Sequence, residues 1–428
     1  MLAKLFSYQK PENIDYNTEI IGGIVNFIAI AYIIVVNPII LNANGHGFPI
    51  NASITATILV IVFATLLASM IIKLPFVLAP GMGINAIIGY TFILKDNIDI
   101  PTILGMVFFS SVLLLIFSAT KIRRIVVNSI PDCLQIALGC GIGVFLFFIG
   151  IKNANIVIAN PNTIVSLNKF TFNTTLVMLG FILTTVLFLQ HKKYAMLLPM
   201  IILTIITITI HPDLIPQHIF RLPDFSLFMQ MNVLKALKLS LLPSLLSLFL
   251  VNFFDATSTV IGLLDQSQLS EAEKQKHVEN ALLADSLGGV ISGAVGSAST
   301  VIFIESAAGI KSGATTGIAS VVTAILCVPF LFLSPLIEIV PSFATAPILI
   351  LVGLLMMVNI RNLQTKSLED LIAVAITIIM MPFTFSITYG AIFGICTYVL
   401  LKICLGKFQD LSWTLMILPI ICLVLMIL

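Results

Sequence analysis

Asp255, Asp285 and Glu305 are carboxylates set inside long apolar runs. A charge at the centre of a bilayer costs about 2.5–3.5 kcal/mol on insertion scales, so an acid in such a run usually faces a polar cavity and marks a function. Asp255 lies in LVNFFDATSTVIGLL and Glu305 in GSASTVIFIESAAGIKSG. Two carboxylates on neighbouring segments can divide the work. One accepts hydrogen bonds from the N–H groups of a polar ligand. The other takes up and releases a proton, because burial favours the neutral acid. The plainer alternative is a pair of acids satisfied by adjacent Ser and Thr residues. Asp285, in NALLADSLGG, reads as near the inner end of its helix, where a packing or helix-terminal role competes with a functional one.

Asn85 follows APGMGI. If VLAP is extended and a short helix starts near Gly81, then Gly83 and Asn85 fall in its first turns. Free backbone N–H groups and the positive helix end then face the cavity. The same holds near Glu305 and Ser306. Two opposed helix N-termini with amides and carboxylates nearby make a compact polar site inside an apolar body. An isolated membrane asparagine is otherwise an interhelical hydrogen-bond partner. Phe254 and Phe303 could stack on a planar ligand, although 30 phenylalanines make core or lipid contact the default.

These residues need a scaffold, and the composition says which. Of 428 residues, 59% are hydrophobic and only 9% charged, against about 25% charged in a typical soluble domain. Apolar blocks of the roughly 20 residues that a bilayer-crossing helix requires recur along the chain, and period-2 alternation is absent. The reading is an all-α polytopic membrane protein. Spans fall near 20–41, 53–72, 76–95, 102–120, 132–151, 172–190, 194–210, 240–264, 279–297, 299–313, 314–334, 343–358, 369–386 and 389–405. A last apolar block covers 411–428, and Asn37–Pro38 interrupts the first span. Charges in the first 19 residues argue against a cleaved leader. Lys and Arg fall mostly on the side that holds the N-terminus, which the positive-inside rule makes cytoplasmic.

The stretches Pro75–Phe92 and Gly296–Gly313 are the third and tenth segments. Each couples an extended-type run to Gly or small residues and one polar or charged residue. Interrupted segments at matching places in two halves point to a transport site built by inverted repeats. The alternative is two flexible helices packed through small residues.

Other chemistries find little support. The six cysteines form no CxxC pair, and the five histidines lie in loops or at their edges without HExxH spacing, so neither a metal nor another cofactor is expected. A net charge of +2 without a basic, aromatic-interleaved patch excludes nucleic acid as a ligand.

LAPGMGINA, ESAAG, ATAPILILVGLLMM and TIIMMPFTFSITYGAIFGICTYVLLK resemble the hypoxanthine/adenine/guanine permeases, the AzgA-like branch of the nucleobase–cation symporters. The similarity runs from about Asn37 to Lys407. It implies a 7+7 inverted-repeat fold with a short strand in each of the third and tenth segments. A core domain would comprise residues 1–120 and 240–334. A gate domain would comprise 121–239 and 335–428, the latter including the C-terminal apolar helix. Purine bases would bind between the domains and enter with protons, on a polar site that maps to Asn85, Asp255 and Glu305. A homodimer in the cell membrane is part of the expectation.

The chain departs from the family pattern at several points. Asn252 stands where an acid is usual, Ala256 for threonine and Ser258 for glycine. ADSLGG replaces ADALGT, and GSASTVIFIE loses two threonines and a tyrosine, the latter at Phe303. The expected function is therefore secondary active import of adenine, hypoxanthine or guanine. Uracil, xanthine or an anion on the same fold is the first alternative, though two acids would repel an anion. An intramembrane enzyme or receptor is the second, and it lacks both an intramembrane histidine and a soluble module.

Overall fold

The computed structural model describes residues 5–7, 14–120, 131–160, 163–264, 271–364, 367–411 and 415–416. All fourteen expected segments appear. Among the described residues, eight helices are long and apolar enough to cross a membrane, and shorter apolar helices fill other places. The first segment is α1 (Tyr16–Ile30) followed by α2 (Ile33–Asn42). The second is α3 (Ile50–Ile71). The third starts as strand β1 (Leu78–Pro80), turns into α4 (Met82–Ala86) and ends as a π-helical stretch, Ile87–Ile93. Then come α5 (Ile100–Ala119), α6 (Asp132–Asn153), α7 (Phe172–Leu189) and α8 (Leu197–Ile210). A hairpin, β2 (Val157–Asn160) with β3 (Ile164–Leu167), joins α6 to α7. Sequence reasoning did not anticipate it.

The second half runs through a short helix α9 (Val233–Ala236), then α10 (Leu242–Leu264) and α11 (Glu271–Val295). Strand β4 (Thr300–Ile302) leads by one 3-10 turn, Ile304–Ser306, into α12 (Ala307–Lys311). The rest is α13 (Gly317–Cys327), α14 (Ser334–Glu338), α15 (Ser342–Met357), α16 (Leu368–Thr384) and α17 (Ile387–Cys404). Most of the apolar block 411–428 lies outside the described residues.

Helices pack in two groups. In one, α13 lies on α1 and α3, and α11 lies on α3 and α5. In the other, α6 packs on α15 and α16, α15 on α7, and α16 on α17. Helix α10 belongs to the first group and touches α17 and α6 of the second.

Polar side chains at element ends fix where the helices start. Asp15 caps α1 by accepting from the Asn17 N–H at 3.1 Å. Glu19, 2% exposed, accepts from the N–H groups of Thr315 and Thr316 at 2.8 and 3.0 Å, so its charge meets the positive end of α13. Asn26 on α1 holds both interrupted segments at once. Its amide donates to the Pro75 carbonyl at 3.1 Å, and its carbonyl accepts from the Gly309 N–H at 2.9 Å. A Cβ at position 309 would stand 2.5 Å from the Asn26 oxygen, so this approach requires glycine. Asn26→Leu strands two buried backbone groups, at about 1–3 kcal/mol each. The expected result is a lower apparent melting temperature in detergent, read by thermal unfolding, with no equivalent drop for an exposed helical change such as Asn173→Ala.

The first span is irregular at Ala31–Tyr32 rather than at Asn37–Pro38, with the backbone there still in the right-handed helical region. Residues 34 and 35 tighten to i→i−3 bonds, Ile34 to Ala31 and Val35 to Tyr32. Pro38 itself stays inside α2. Pro38 removes only the bond its own N–H would give the Ile34 carbonyl, and the helix runs through it.

Candidate functional site

β1 and β4 pair antiparallel, Leu78 with Ile302, Ala79 with Val301 and Pro80 with Thr300. One further bond flanks the ladder at each end, from the Gly81 N–H to the Ser299 carbonyl and from the Phe303 N–H to the Val77 carbonyl. The short strands expected in the third and tenth segments are therefore present, as one two-stranded ribbon. Six-residue ribbons are stable only when packed, and this one is fully buried. It satisfies the backbone of both interruptions internally, which apolar surroundings demand.

α4 starts where expected. Gly81 is its extended N-cap, and the Asn85 N–H reaches the Gly81 carbonyl at 2.9 Å. Gly83 lies where the two helix groups meet: a Cβ there would stand 3.0 Å from Ile142 of α6 and 3.9 Å from Val251 of α10. Asn85 is completely buried, and among the described residues neither of its amide atoms has a hydrogen-bond partner. A buried unsatisfied amide costs about 1–3 kcal/mol, and Asn85 is the described asparagine in which both the donor and the acceptor are left over.

Glu305 sits in the 3-10 turn after β4, and its Oε1 accepts from the Tyr32 hydroxyl at 2.9 Å. Tyr32 is 1% exposed and occupies the irregular turn between α1 and α2. Sequence reasoning missed it. The available signal was a lone tyrosine in the span read at 20–41. Asp255 lies midway along α10, within electrostatic reach of Glu305, and Asp285 lies within reach of Asp255. Asp285 is deeper than its sequence context suggested. α11 begins at Glu271, so Asp285 stands in mid-helix, fully buried, and its backbone carbonyl accepts from the Thr300 hydroxyl of β4 at 3.1 Å.

The remaining candidates serve the frame. The Ser306 hydroxyl accepts from the Val77 N–H at 3.0 Å, which ties the turn of the tenth segment to the entry of β1. Phe303, 4% exposed, and Phe254, half-buried, join the main core, and Phe254 meets Phe253 edge-on at 5.3 Å. Asn252 donates to the Ser299 hydroxyl at 2.8 Å, which in turn lies 3.2 Å from the Ser111 hydroxyl. The neutral amide donates to the hydroxyl, so Asn252 ties α10 to the residue that leads into β4 without placing a charge there.

The far end of the third segment crosses to the other helix group. Tyr90 accepts from the Asn153 amide at 2.8 Å and meets the Phe385 ring edge-on at 6.1 Å. Lys95 donates to the Thr384 carbonyl at 2.9 Å and lies 4.2 Å from the Tyr389 ring centre. Desolvation lowers the Lys95 ammonium below its ordinary value, and the adjacent Asp96 opposes this. Phe385 has φ +53°, a left-handed conformation that is strained for a bulky residue. Its ring also meets Phe145 and Phe148 edge-on.

The Permease family model matches residues 17–393. The adenine permease AdeP of Escherichia coli is 32% identical, covering 96% of this chain and 93% of that one. The guanine/hypoxanthine permease PbuG of Bacillus subtilis is 32% identical, covering 92% and 93%. Among solved structures, the transmembrane domain of a cyanobacterial bicarbonate transporter, BicA, superposes with a TM-score of 0.67 at 17% identity, covering 91% of this chain and all of that one. That last likeness concerns the fold alone.

Proposed function

From the premise that this chain belongs to the purine-permease branch of the nucleobase–cation symporters, we propose that it imports purine bases across the cell membrane with protons. The observation that carries the reading is Asn85, whose buried amide keeps a donor and an acceptor unused beside α10, the helix of Asp255. Adenine, hypoxanthine and guanine each present adjacent donors and acceptors on a planar edge. An amide answers such an edge with two complementary bonds, and a carboxylate accepts its N–H groups. Charge-assisted bonds of this kind are worth about 1.5–3 kcal/mol each.

In this reading the first helix group is a core that carries the base, and the second is a gate past which it moves. Glu305 and Asp255 hold the base and the proton. An uncompensated carboxylate would oppose the movement through apolar surroundings, so protonation licenses it. Asp285, behind Asp255, is a third acid available to the same proton path. The N-terminus is cytoplasmic, and the Tyr90–Asn153 and Lys95–Thr384 contacts then close the outer side. The chemistry is binding and movement, with no covalent step.

Uptake of radiolabelled hypoxanthine, adenine and guanine by expressing cells, competed with unlabelled compounds, tests the proposal. At least one purine base should be taken up with micromolar affinity, and nucleosides should not compete. Efficient nucleoside uptake, or sulfate uptake indifferent to purines, would sink it. The outer contact supplies a further expectation. Lys95→Ala loosens it and raises the share of outward-open protein. Apparent affinity scales with the competent fraction, so the external KM should fall several-fold. An unchanged or higher KM would show that Lys95 does not hold the outer side shut.

A further inference from the structure

Tyr32 belongs to no strand or half-helix of the site, yet its hydroxyl makes a hydrogen bond to one of the site's acids. It donates to Oε1 of Glu305 at 2.9 Å from a position 1% exposed. The irregular turn at Ala31–Tyr32 sets it there, and the i→i−3 bonds of Ile34 and Val35 hold that turn. α2 is anchored in turn by Asn37, which donates to Thr57 at 2.7 Å and to Ser297, near the start of β4, at 3.2 Å. The tyrosine is thus fixed to the same frame as Glu305.

We infer that Tyr32 is a positioning residue that sets base preference, holding one oxygen of Glu305 so that the site disfavours purines with a 2-amino group. This rests on the purine reading above. A free carboxylate takes two parallel N–H donors, one on each oxygen. Guanine offers that pair, N1–H with the 2-amino group. Hypoxanthine differs from it only by lacking the 2-amino group and offers a single donor on the same edge. With Oε1 already accepting from Tyr32, the two-donor edge must share an oxygen with an immobile phenol, whereas the one-donor edge can use Oε2. The tyrosine therefore discriminates against the second donor without touching the base.

The test compares inhibition constants of guanine and hypoxanthine against labelled hypoxanthine, in wild type and in Tyr32→Phe, which removes the oxygen and keeps the ring. Wild type should prefer hypoxanthine. In Tyr32→Phe the guanine-to-hypoxanthine ratio of inhibition constants should fall about tenfold, the worth of one charge-assisted bond. A purely structural role would weaken both bases alike and leave the ratio unmoved. A ratio unchanged within measurement error overturns the inference. If Tyr32→Phe shows no uptake, purine-induced thermal shifts of the purified protein replace it, and loss of both bases together overturns the inference as well. If wild type takes up no purine at all, the purine reading itself has failed, and that outcome is visible before the variant is made.

Discussion

Glu305→Gln should abolish purine accumulation. The substitution keeps size and shape but removes the titrating group, the charge that receives the Tyr32 hydroxyl, and the strong acceptor for a base N–H. Loss of one charge-assisted bond accounts for about 10–100-fold in affinity. Loss of the proton site removes concentrative transport besides. Wild-type uptake should fall as external pH rises, since the proton is a co-substrate, and collapse with a protonophore. Asp255→Asn should abolish or severely weaken uptake as well. Pairing uptake with a binding measurement separates the roles, since a residue that only couples loses accumulation while retaining affinity. Normal accumulation with intact pH dependence in both variants would refute the mechanism and leave the fold untouched.

Asn85→Leu is expected to do two opposite things. The leucine replaces a fully buried amide whose atoms find no partner among the described residues, with the same branching but a larger volume, so the site must give a little to admit it. Relief of that desolvation cost, about 1–3 kcal/mol, should leave the ligand-free protein at least as stable as wild type. Recognition should disappear, because a base edge then meets an apolar side chain and its own polar groups go unpaired. Thermal unfolding with and without hypoxanthine checks both halves. Wild type should gain about 2.7 kcal/mol of stability at 100 times Kd, and the variant nothing. A loss of stability shared by Asn85→Leu and the smaller Asn85→Ala would mark Asn85 as a structural residue, and a variant that keeps its ligand shift would remove it from the site.

The sequence alone determined the membrane class, the fourteen segments and the places of the two interruptions. Each depends on local composition, either the length of an apolar run or a Pro and Gly pattern that refuses a helix. LAP followed by GMG marks an extended run and a helix start within a few residues, so β1 and the start of α4 were legible. The acids were legible for the same reason, since a charge in an apolar run stands out by its solvation cost alone.

Partnership required the tertiary structure. That β1 pairs with β4 in one register, or that Asn26 grips both Pro75 and Gly309, depends on segments more than 200 residues apart meeting in space. Neither residue pattern encodes the other. Tyr32 looked like one more aromatic until an irregular turn in its helix pointed it at Glu305. Asn252 looked like a lost acid until Ser299 was found accepting its amide proton. Ser306 looked like a ligand contact until Val77 was found donating to it. Asp285 stands in mid-helix because α11 extends through the polar run EAEKQKHVEN, which is rich in helix formers but too polar to count as part of an apolar span. The chemistry of a side chain is written in its type, but whether that chemistry is spent on the frame or kept for a ligand depends on which neighbour reaches it first.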